Sequence, residues 1–317
     1  MIEVINVTKE IRSKIATGSL IKNLFKPTYT TNCVLHDINL TVNQGDKIAL
    51  IGRNGSGKSS LIKAICGITQ PNTGSVLING VSPSSDRKKA MQSMGVMFAQ
   101  KSFLYPNLTL KDCISLYASI RGLCNEKEEH NYHSLNKFFE VDDFVSAQVR
   151  TLSFGQRIRG ELICALIHNP SLIILDEPTV GIDVSSKQLL HRFLTDSSYM
   201  GDKTVIITSH EPQIIRDFAT RCVELTDGKV TYDGSTNDYN LGISIGLKIS
   251  LNQPVEVMLA RESDSGISSL NLSKDRIEVS FTPNMSEFAI NQWIVKQVGI
   301  ENIATLERVE KLYSEVK

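Results

Sequence analysis

Short apolar runs alternate with longer amphipathic stretches from residue 1 to about residue 235. The three clearest runs are KIALIG (Lys47–Gly52), SLIILDEP (Ser171–Pro178) and TVIITSH (Thr204–His210). Each is too short for a typical helix and ends in glycine, acidic or polar residues, which is typical of buried strands in a parallel sheet. The alternation of such strands with helices predicts an α/β fold with a largely parallel sheet.

A polar stretch interrupts this alternation between Gln100 and Thr151. Its composition favours helices, and we expect an inserted helical subdomain over about 101–160. Within it, the charged run NEKEEHNYH is expected to be a solvent-exposed helix or loop.

The pattern changes again after Gly234. The turn-rich segment STNDYNLG predicts a linker, and the strand-like segments GLKISL, VEVML and RIEVSF and the helix-like MSEFAINQWIVKQVG follow it. Trp293 falls on the apolar face of that helix and is expected in the core. We therefore predict a large domain over 1–235 and a small α+β accessory domain over 236–317.

Composition narrows the classes of partner. The chain has 317 residues, of which 41% are hydrophobic, enough for a packed core. Lys and Arg together number 34, as do Asp and Glu, so no global basic field exists to recruit nucleic acid.

Six scattered cysteines without a CxxC pair indicate reduced, cytoplasmic thiols. We find neither a secretory leader nor an apolar run near the roughly 20 residues that span a bilayer, and expect a soluble or peripheral protein.

The segment GRNGSGKSS follows a predicted strand and precedes the helix-like LIKAICG, the context of a phosphate-binding loop. Its glycines allow backbone amides to curl around a β-phosphate, and the next helix turns its positive end to the anion. Lys58 is expected to reach the β- and γ-phosphate oxygens, and Ser59 to bind Mg²⁺. A glycine-rich turn without a ligand is the alternative. The predicted nucleotide contacts are Gly52, Arg53, Asn54, Gly55, Ser56, Gly57, Lys58, Ser59 and Ser60.

The run LIILDEP ends a buried strand with two adjacent carboxylates. These require a counter-ion such as Mg²⁺ at the carboxyl end of the strand. We assign Asp176 to the metal. Glu177 is the candidate base that polarises a water molecule for in-line attack on a γ-phosphate. A strand that simply ends in two solvated acids is the alternative reading.

A third motif, LSFGQ (Leu152–Gln156), precedes the helix-like RIRGELICALIHNP and offers another helix N-terminus to phosphate. It is similar to the signature motif of ABC ATPases and lies between the two preceding motifs, as in that family. Phe154 stands where glycine is commoner. The resemblance assigns Ser153, Gly155 and Gln156 to nucleotide binding.

Further landmarks of this family follow in order. Gln100 in GVMFAQKS resembles the Q-loop glutamine, VGID (Val180–Asp183) the D-loop, and His210 in ITSHE the switch histidine. By resemblance, Gln100 also binds the metal. An aromatic residue upstream of the phosphate-binding loop stacks on adenine in the family; Tyr29 matches its position, with Phe25 as the alternative. The catalytic set so implied is Glu177, His210, Gln100 and Lys58.

The resemblance covers about residues 1–235 and implies a P-loop NTPase fold, ATP and Mg²⁺ as ligands, and a second nucleotide-binding subunit, for which a homodimer needs the fewest assumptions. It also implies a separate integral membrane permease, to which this chain binds at the cytoplasmic face of the membrane. The motifs look most like those of ATPases paired with simple exporter-type permeases. The alternative is a soluble ABC ATPase that acts on a macromolecule; the single cassette, the absence of a heptad-rich insertion and the zero net charge argue against it.

Overall fold

The computed structural model describes residues 1–14, 29–98, 102–209, 211–239, 243–251, 267–273, 276–281, 290, 293 and 303–312. The chain forms two compact units. One comprises Met1–Ser209 and Ile214–Thr236, and the other comprises Asn237–Lys317 with His210–Gln213. The predicted domain bounds, 1–235 and 236–317, stay predictions. Among the helices so described, none has the length and apolar character that crossing a membrane requires.

The structure describes nine strands and eight α-helices between residues 1 and 235. The strands are β1 (Ile2–Lys14), β2 (Tyr29–Val42), β3 (Lys47–Ile51), β4 (Thr73–Ile78), β5 (Met94–Phe98), β6 (Leu172–Asp176), β7 (Thr204–Thr208), β8 (Arg221–Thr226) and β9 (Lys229–Ser235). The helices are α1 (Lys58–Ile65), α2 (Arg87–Met91), α3 (Leu110–Ile120), α4 (Asn125–Phe139), α5 (Phe154–Leu166), α6 (Val184–Thr195), α7 (Ser197–Met200) and α8 (Pro212–Phe218).

The main sheet has six strands in the order β5-β6-β7-β3-β8-β9. The first five are parallel, and β9 pairs antiparallel with β8. Strands β6 and β7 are buried at every position, and β3 is buried at every position except Lys47. These are the three predicted strands; β3 ends before Gly52, whereas β6 ends with Asp176 and β7 with Thr208. The parallel α/β core is therefore confirmed.

A second, antiparallel sheet of the first unit has the order β2-β1-β4. Alternate apolar residues of β1 and β2, such as Val4 and Leu40, join the same hydrophobic core as Leu50 of β3 and Leu61 of α1. Continuous apolar runs do not mark this sheet in the sequence, because strands with one solvated face alternate polar and apolar residues.

The polar stretch forms helices, as predicted. The charged run NEKEEHNYH opens helix α4, which buries only Leu135 and Phe139 and is exposed along most of its length. Helix α3 begins with a capping box in which the Thr109 hydroxyl accepts from the amide of Asp112 and the Asp112 carboxylate accepts from the amide of Thr109. The bounds of this subdomain, about 101–160, stay a prediction.

The second unit contains an antiparallel sheet in the order β11-β12-β10-β13, formed by β10 (Ile243–Leu251), β11 (Ile267–Ser273), β12 (Arg276–Phe281) and β13 (Ile303–Leu312). Strands β10 and β12 match two of the predicted strand segments; VEVML lies outside the described residues. The Trp293 ring contacts the Phe281 ring edge-on at 5.5 Å between centroids, so its predicted place against the core is confirmed. The polar sequence of β11 gave no strand signal.

Candidate nucleotide-binding site

The loop between β3 and α1 contains three glycines with positive φ: 139° at Gly52, 84° at Gly55 and 107° at Gly57. Two of them are also closely packed. A Cβ atom at Gly52 would lie 2.2 Å from the carbonyl oxygen of Leu225, and one at Gly57 would lie 2.8 Å from that of Val34. Around Gly55, by contrast, no atom lies within 4 Å of an added Cβ. The loop is thus packed on one side and open at its tip, as a phosphate cradle requires.

Lys58 is the first residue of helix α1 and is 5% exposed. Its Nζ donates to the carbonyl oxygen of Gly52 at 2.6 Å and to that of Arg53 at 3.2 Å. The Ser56 amide closes the same turn onto the Arg53 carbonyl at 3.0 Å. The ammonium group is therefore held inside the loop, beside the N-terminus of α1. A buried cation in that place favours an anionic ligand.

Two further features fit a phosphate. The N-cap of α1 is Gly57, which has no side chain to cap the first amides of the helix. The Ser56 hydroxyl is buried and has no hydrogen-bond partner among the described residues. The other predicted contacts lie at the loop surface or the start of the helix: Arg53 and Asn54 are exposed, and Ser59 and Ser60 are half-buried.

The hairpin turn between β8 and β9 is hydrogen-bonded to the phosphate-binding loop. The amide of Gly228, in the turn between β8 and β9, donates to the Ser56 carbonyl at 2.9 Å, and the Gly228 carbonyl accepts from the amide of His36 at 2.8 Å. Asp227 and Gly228 both have positive φ, at 47° and 74°. Because a Cβ at position 228 would lie 2.6 Å from the Val34 carbonyl oxygen, only glycine fits there without a shift.

The acid pair lies at the same sheet edge as the loop, because β3, β7 and β6 are adjacent and parallel. Asp176 ends β6 and is 8% exposed, and Glu177 follows at φ 53°. A left-handed conformation at a residue other than glycine costs about 1–3 kcal/mol and is commonest at functional sites. Carboxylate and hydroxyl oxygens are ligands that Mg²⁺ accepts, so Asp176 and Ser59 fit the predicted metal by donor type.

Thr208 connects the two acids and was missed by the sequence analysis. Its hydroxyl donates to Oδ1 of Asp176 at 2.8 Å and accepts from the amide of Glu177 at 2.7 Å. Thr208 is the direct neighbour of Asp176 across the parallel strands and is fully buried. The available signal was a hydroxyl residue at the carboxyl end of the strand TVIIT, but its partner depends on the strand order.

The signature residues have a different environment. Ser153 caps α5 through a capping box: its hydroxyl accepts from the amide of Gln156 at 3.2 Å, and its own amide donates to the Gln156 side chain at 2.9 Å. Ser153 is exposed, whereas Gly155 is buried. A Cβ at Gly155 would lie 2.1 Å from Oδ2 of Asp183. Close packing within the chain is therefore one reason for glycine at this position.

Phe154, the departure from the signature pattern, is 39% exposed and contacts the D-loop. A Cβ at Gly181 would lie 3.3 Å from its ring, and the guanidinium of Arg157 lies 5.6 Å from the ring centroid. Asp183 caps the following helix α6, accepting from the Ser186 amide at 2.9 Å. Hydrogen bonds from Ser185 and Ser186 hold the Asp183 pKa well below its usual range.

Three predicted site residues lie outside the part of the chain that the structure describes: Gln100, His210 and the alternative aromatic Phe25. Tyr29 begins β2, where its backbone pairs with Lys14, and its side chain lies outside the described part. The described geometry therefore brings together the phosphate-binding loop and the acid pair. The signature residues belong to a separate helix start.

Comparison with known proteins agrees with this geometry. Residues 35–180 match the ABC transporter family. The ABC transporter ATP-binding protein NatA of Bacillus subtilis (strain 168) is 26% identical over 201 residues, which cover 63% of this chain and 81% of NatA. The Nod factor export ATP-binding protein I of Rhizobium etli is 31% identical over 211 residues, covering 67% of this chain and 66% of that protein. Some relatives are longer: the match covers 38% of a putative ABC transporter ATP-binding protein of Onion yellows phytoplasma.

Solved structures show the same fold. An ATP-binding subunit of an ABC transporter superimposes with a TM-score of 0.63 at 25% identity, covering 75% of this chain and 90% of that chain. A dimeric ATP-binding cassette in a post-hydrolysis state, bound to ADP and phosphate, gives 0.63 at 24% identity.

The fold and the site define a P-loop nucleotide-binding domain. This chain carries the nucleotide-binding domain of the ABC transporter family. Domains of this class bind and hydrolyse ATP, so the predicted fold and the ATPase class are both confirmed.

Proposed function

We propose that this chain hydrolyses Mg²⁺-bound ATP as the energy-supplying subunit of an exporter, bound to a separate membrane permease at the cytoplasmic face. The observation that carries the ATPase part is the acid pair, buried at Asp176 and half-buried at Glu177, beside a glycine loop that holds a buried lysine. Export is supported by the resemblance of the motifs and by the Rhizobium etli relative, whose name is that of a Nod factor export protein.

In this proposal Lys58 contacts the β- and γ-phosphates, and the backbone amides at the start of α1 bind the β-phosphate. Ser59 and Asp176, together with Gln100, hold Mg²⁺, which neutralises the charge of the phosphate oxygens. Glu177 accepts a hydrogen bond from the attacking water and aligns it with the γ-phosphorus. His210 contacts the γ-phosphate, and Tyr29 stacks on adenine.

The proposed functional unit is a dimer, in which Ser153, Gly155 and Gln156 of one subunit close on the ATP held by the other. The Ser153 hydroxyl accepts a hydrogen bond from the Gln156 amide, which uses a lone pair and leaves its proton able to reach a phosphate. ATP then joins two subunits, and its hydrolysis removes the joining phosphate.

The test is affinity purification of tagged Glu177→Gln protein with ATP from gently solubilised membranes of its own cell. We expect a multi-spanning partner in stoichiometric amount, identified by mass spectrometry. Lys58→Ala is the matched control, since it should fail to hold ATP in the closed dimer. Recovery of soluble partners alone would replace the transporter proposal with a soluble ABC ATPase. Substrate accumulation in inverted vesicles that carry the complex then tests the outward direction.

A further inference from the structure

The Thr208 hydroxyl lies between the two residues of the acid pair. It is within 2.8 Å of Oδ1 of Asp176 and 2.7 Å of the backbone nitrogen of Glu177. The parallel pairing of β6 and β7 places Asp176 and Thr208 directly side by side, with Thr208 fully buried. The hydroxyl that makes both hydrogen bonds is therefore shielded from solvent.

The chemistry of the groups fixes the direction of both bonds. An amide N–H can only donate, so the Thr208 oxygen accepts from Glu177. Its single proton is then donated to the Asp176 carboxylate. The two bonds form a chain from amide to hydroxyl to carboxylate, in which each bond polarises the next, and a charged acceptor at the end strengthens it.

These two hydrogen bonds also constrain the strained backbone at Glu177. Glu177 has φ 53°, a conformation that residues other than glycine seldom adopt and that the surroundings must impose. The bond from its amide to Thr208 fixes the peptide plane between Asp176 and Glu177. That plane and the φ angle of Glu177 together set the direction in which the Glu177 side chain leaves the backbone.

We propose that Thr208 is a positioning residue for ATP hydrolysis: its hydroxyl holds the Asp176 carboxylate and the Glu177 backbone in one fixed arrangement. This rests on the function proposed above. Thr208 touches neither ATP nor the attacking water in this scheme. It acts through the residue proposed to bind Mg²⁺ and the residue proposed to align the water.

The test compares Thr208→Val, which keeps the shape and loses the hydroxyl, with Thr208→Ser, which keeps the hydroxyl. Hydrogen bonds to charged groups typically change an equilibrium by about 10–100-fold. We expect kcat of Thr208→Val to fall by that factor and the Mg²⁺ concentration for half-maximal activity to rise. The KM for ATP should change little, because the loop around Lys58 is intact. Thr208→Ser should recover most of the lost kcat.

Thr204→Val is a matched control at the other end of β7. Thr204 is also fully buried, and its hydroxyl accepts from the Gly45 amide at 2.9 Å, so the substitution removes an equivalent hydroxyl from the same strand. We expect it to lower the melting temperature while kcat per folded molecule stays at the wild-type value. Melting temperatures of all variants separate loss of fold from loss of positioning.

Three outcomes overturn the proposal: a Thr208→Val enzyme with wild-type kcat, a Thr208→Ser enzyme as slow as Thr208→Val, or an equal loss of kcat in Thr204→Val. In each of these cases the wild-type protein still hydrolyses ATP, so the proposed function stands. A wild-type protein that binds Mg²⁺–ATP in its complex but never hydrolyses it would instead remove the proposed function and the role of Thr208 together.

Discussion

Two helix N-termini in this chain carry Ser and Gly residues suited to phosphate binding. They differ in whether side chains already cap their backbone amides. The N-cap residue of helix α1 is Gly57, which offers no capping side chain, and the buried Lys58 follows it. The N-cap residue of helix α5 is Ser153, whose side chain and that of Gln156 cap each other's amides. The N-terminus of α1 can therefore bind an anion with groups from one chain alone, whereas the N-terminus of α5 is already capped by its own side chains. A motif match alone does not distinguish these cases.

The largest effect should come from the acid pair beside the uncapped helix. Glu177→Gln removes the group that accepts the water proton, and we expect kcat to fall by about 10²–10⁴-fold, the usual contribution of a general base. ATP-dependent dimerisation should persist, because Lys58 and Ser153 are intact. Phosphate release and size-exclusion chromatography with ATP measure the two properties. Undiminished turnover in pure Glu177→Gln protein would remove Glu177 from the catalytic role.

The next largest effect concerns a titratable carboxyl group that is buried in helix α5. Glu161 of α5 is 1% exposed, and its Oε2 has no hydrogen-bond partner among the described residues. Burial raises the pKa of Glu161 to about 7, although Ser102 and Arg157 act in the opposite direction. The folded state therefore binds more protons than the unfolded state between pH 4.5 and about 7.

It follows that the contribution of Glu161 to stability is full below about pH 4.5 and is lost as the pH rises to about 7. The difference corresponds to about 3 kcal/mol in the free energy of unfolding. Glu161→Gln should remove this part of the pH dependence, as measured by urea unfolding at pH 5 and pH 8. Identical pH profiles for the two proteins would show that the Glu161 carboxyl titrates alike in both states.

A paired substitution tests the contrast between the helix starts directly. Lys58→Ala should weaken ATP binding to a single subunit by about 10–100-fold, because a charge-assisted contact is lost. Ser153→Ala should leave that affinity unchanged and cost about 1 kcal/mol of stability through the lost cap. Calorimetric titration at concentrations that keep the subunits apart measures the affinities. Equal losses of affinity would mean that both starts serve the same nucleotide.

The smallest effect is expected at the departure from the signature pattern. Phe154→Gly restores the commoner residue but removes the ring that contacts Gly181 and Arg157. Glycine in the first turn of α5 is also a weaker helix former, so we expect a loss of about 1 kcal/mol or less. Thermal unfolding measures it, with Phe154→Leu as the control that keeps an apolar contact. A more stable Phe154→Gly protein would show that the ring is strained.

Much of the fold was predictable because it rests on continuous apolar runs. Strands β3, β6 and β7 are buried on both faces, so their sequences alone identify them. The sheet formed by β1, β2 and β4 was not predicted, because its alternating sequences give a weaker signal. Strand β11 (Ile267–Ser273) was missed for a similar reason.

The candidate site divides in the same way. The glycines and Lys58 were found because they are contiguous in sequence. Thr208 was missed because its contact with Asp176 depends on which strands are neighbours, and the packing of Gly155 against Asp183 depends on the approach of two helix starts. Contacts between separate segments need the topology, which apolar periodicity does not supply.

The hairpin turn at Gly228 gives the phosphate-binding loop an internal reporter. Its amide proton is held by the Ser56 carbonyl, so it exchanges with deuterium only when the loop and the turn separate. The exchange rate at this one backbone position therefore measures how often the loop opens, without a label or a bound nucleotide. The same rate, followed through rounds of ATP addition and hydrolysis, would show when during turnover the loop is closed.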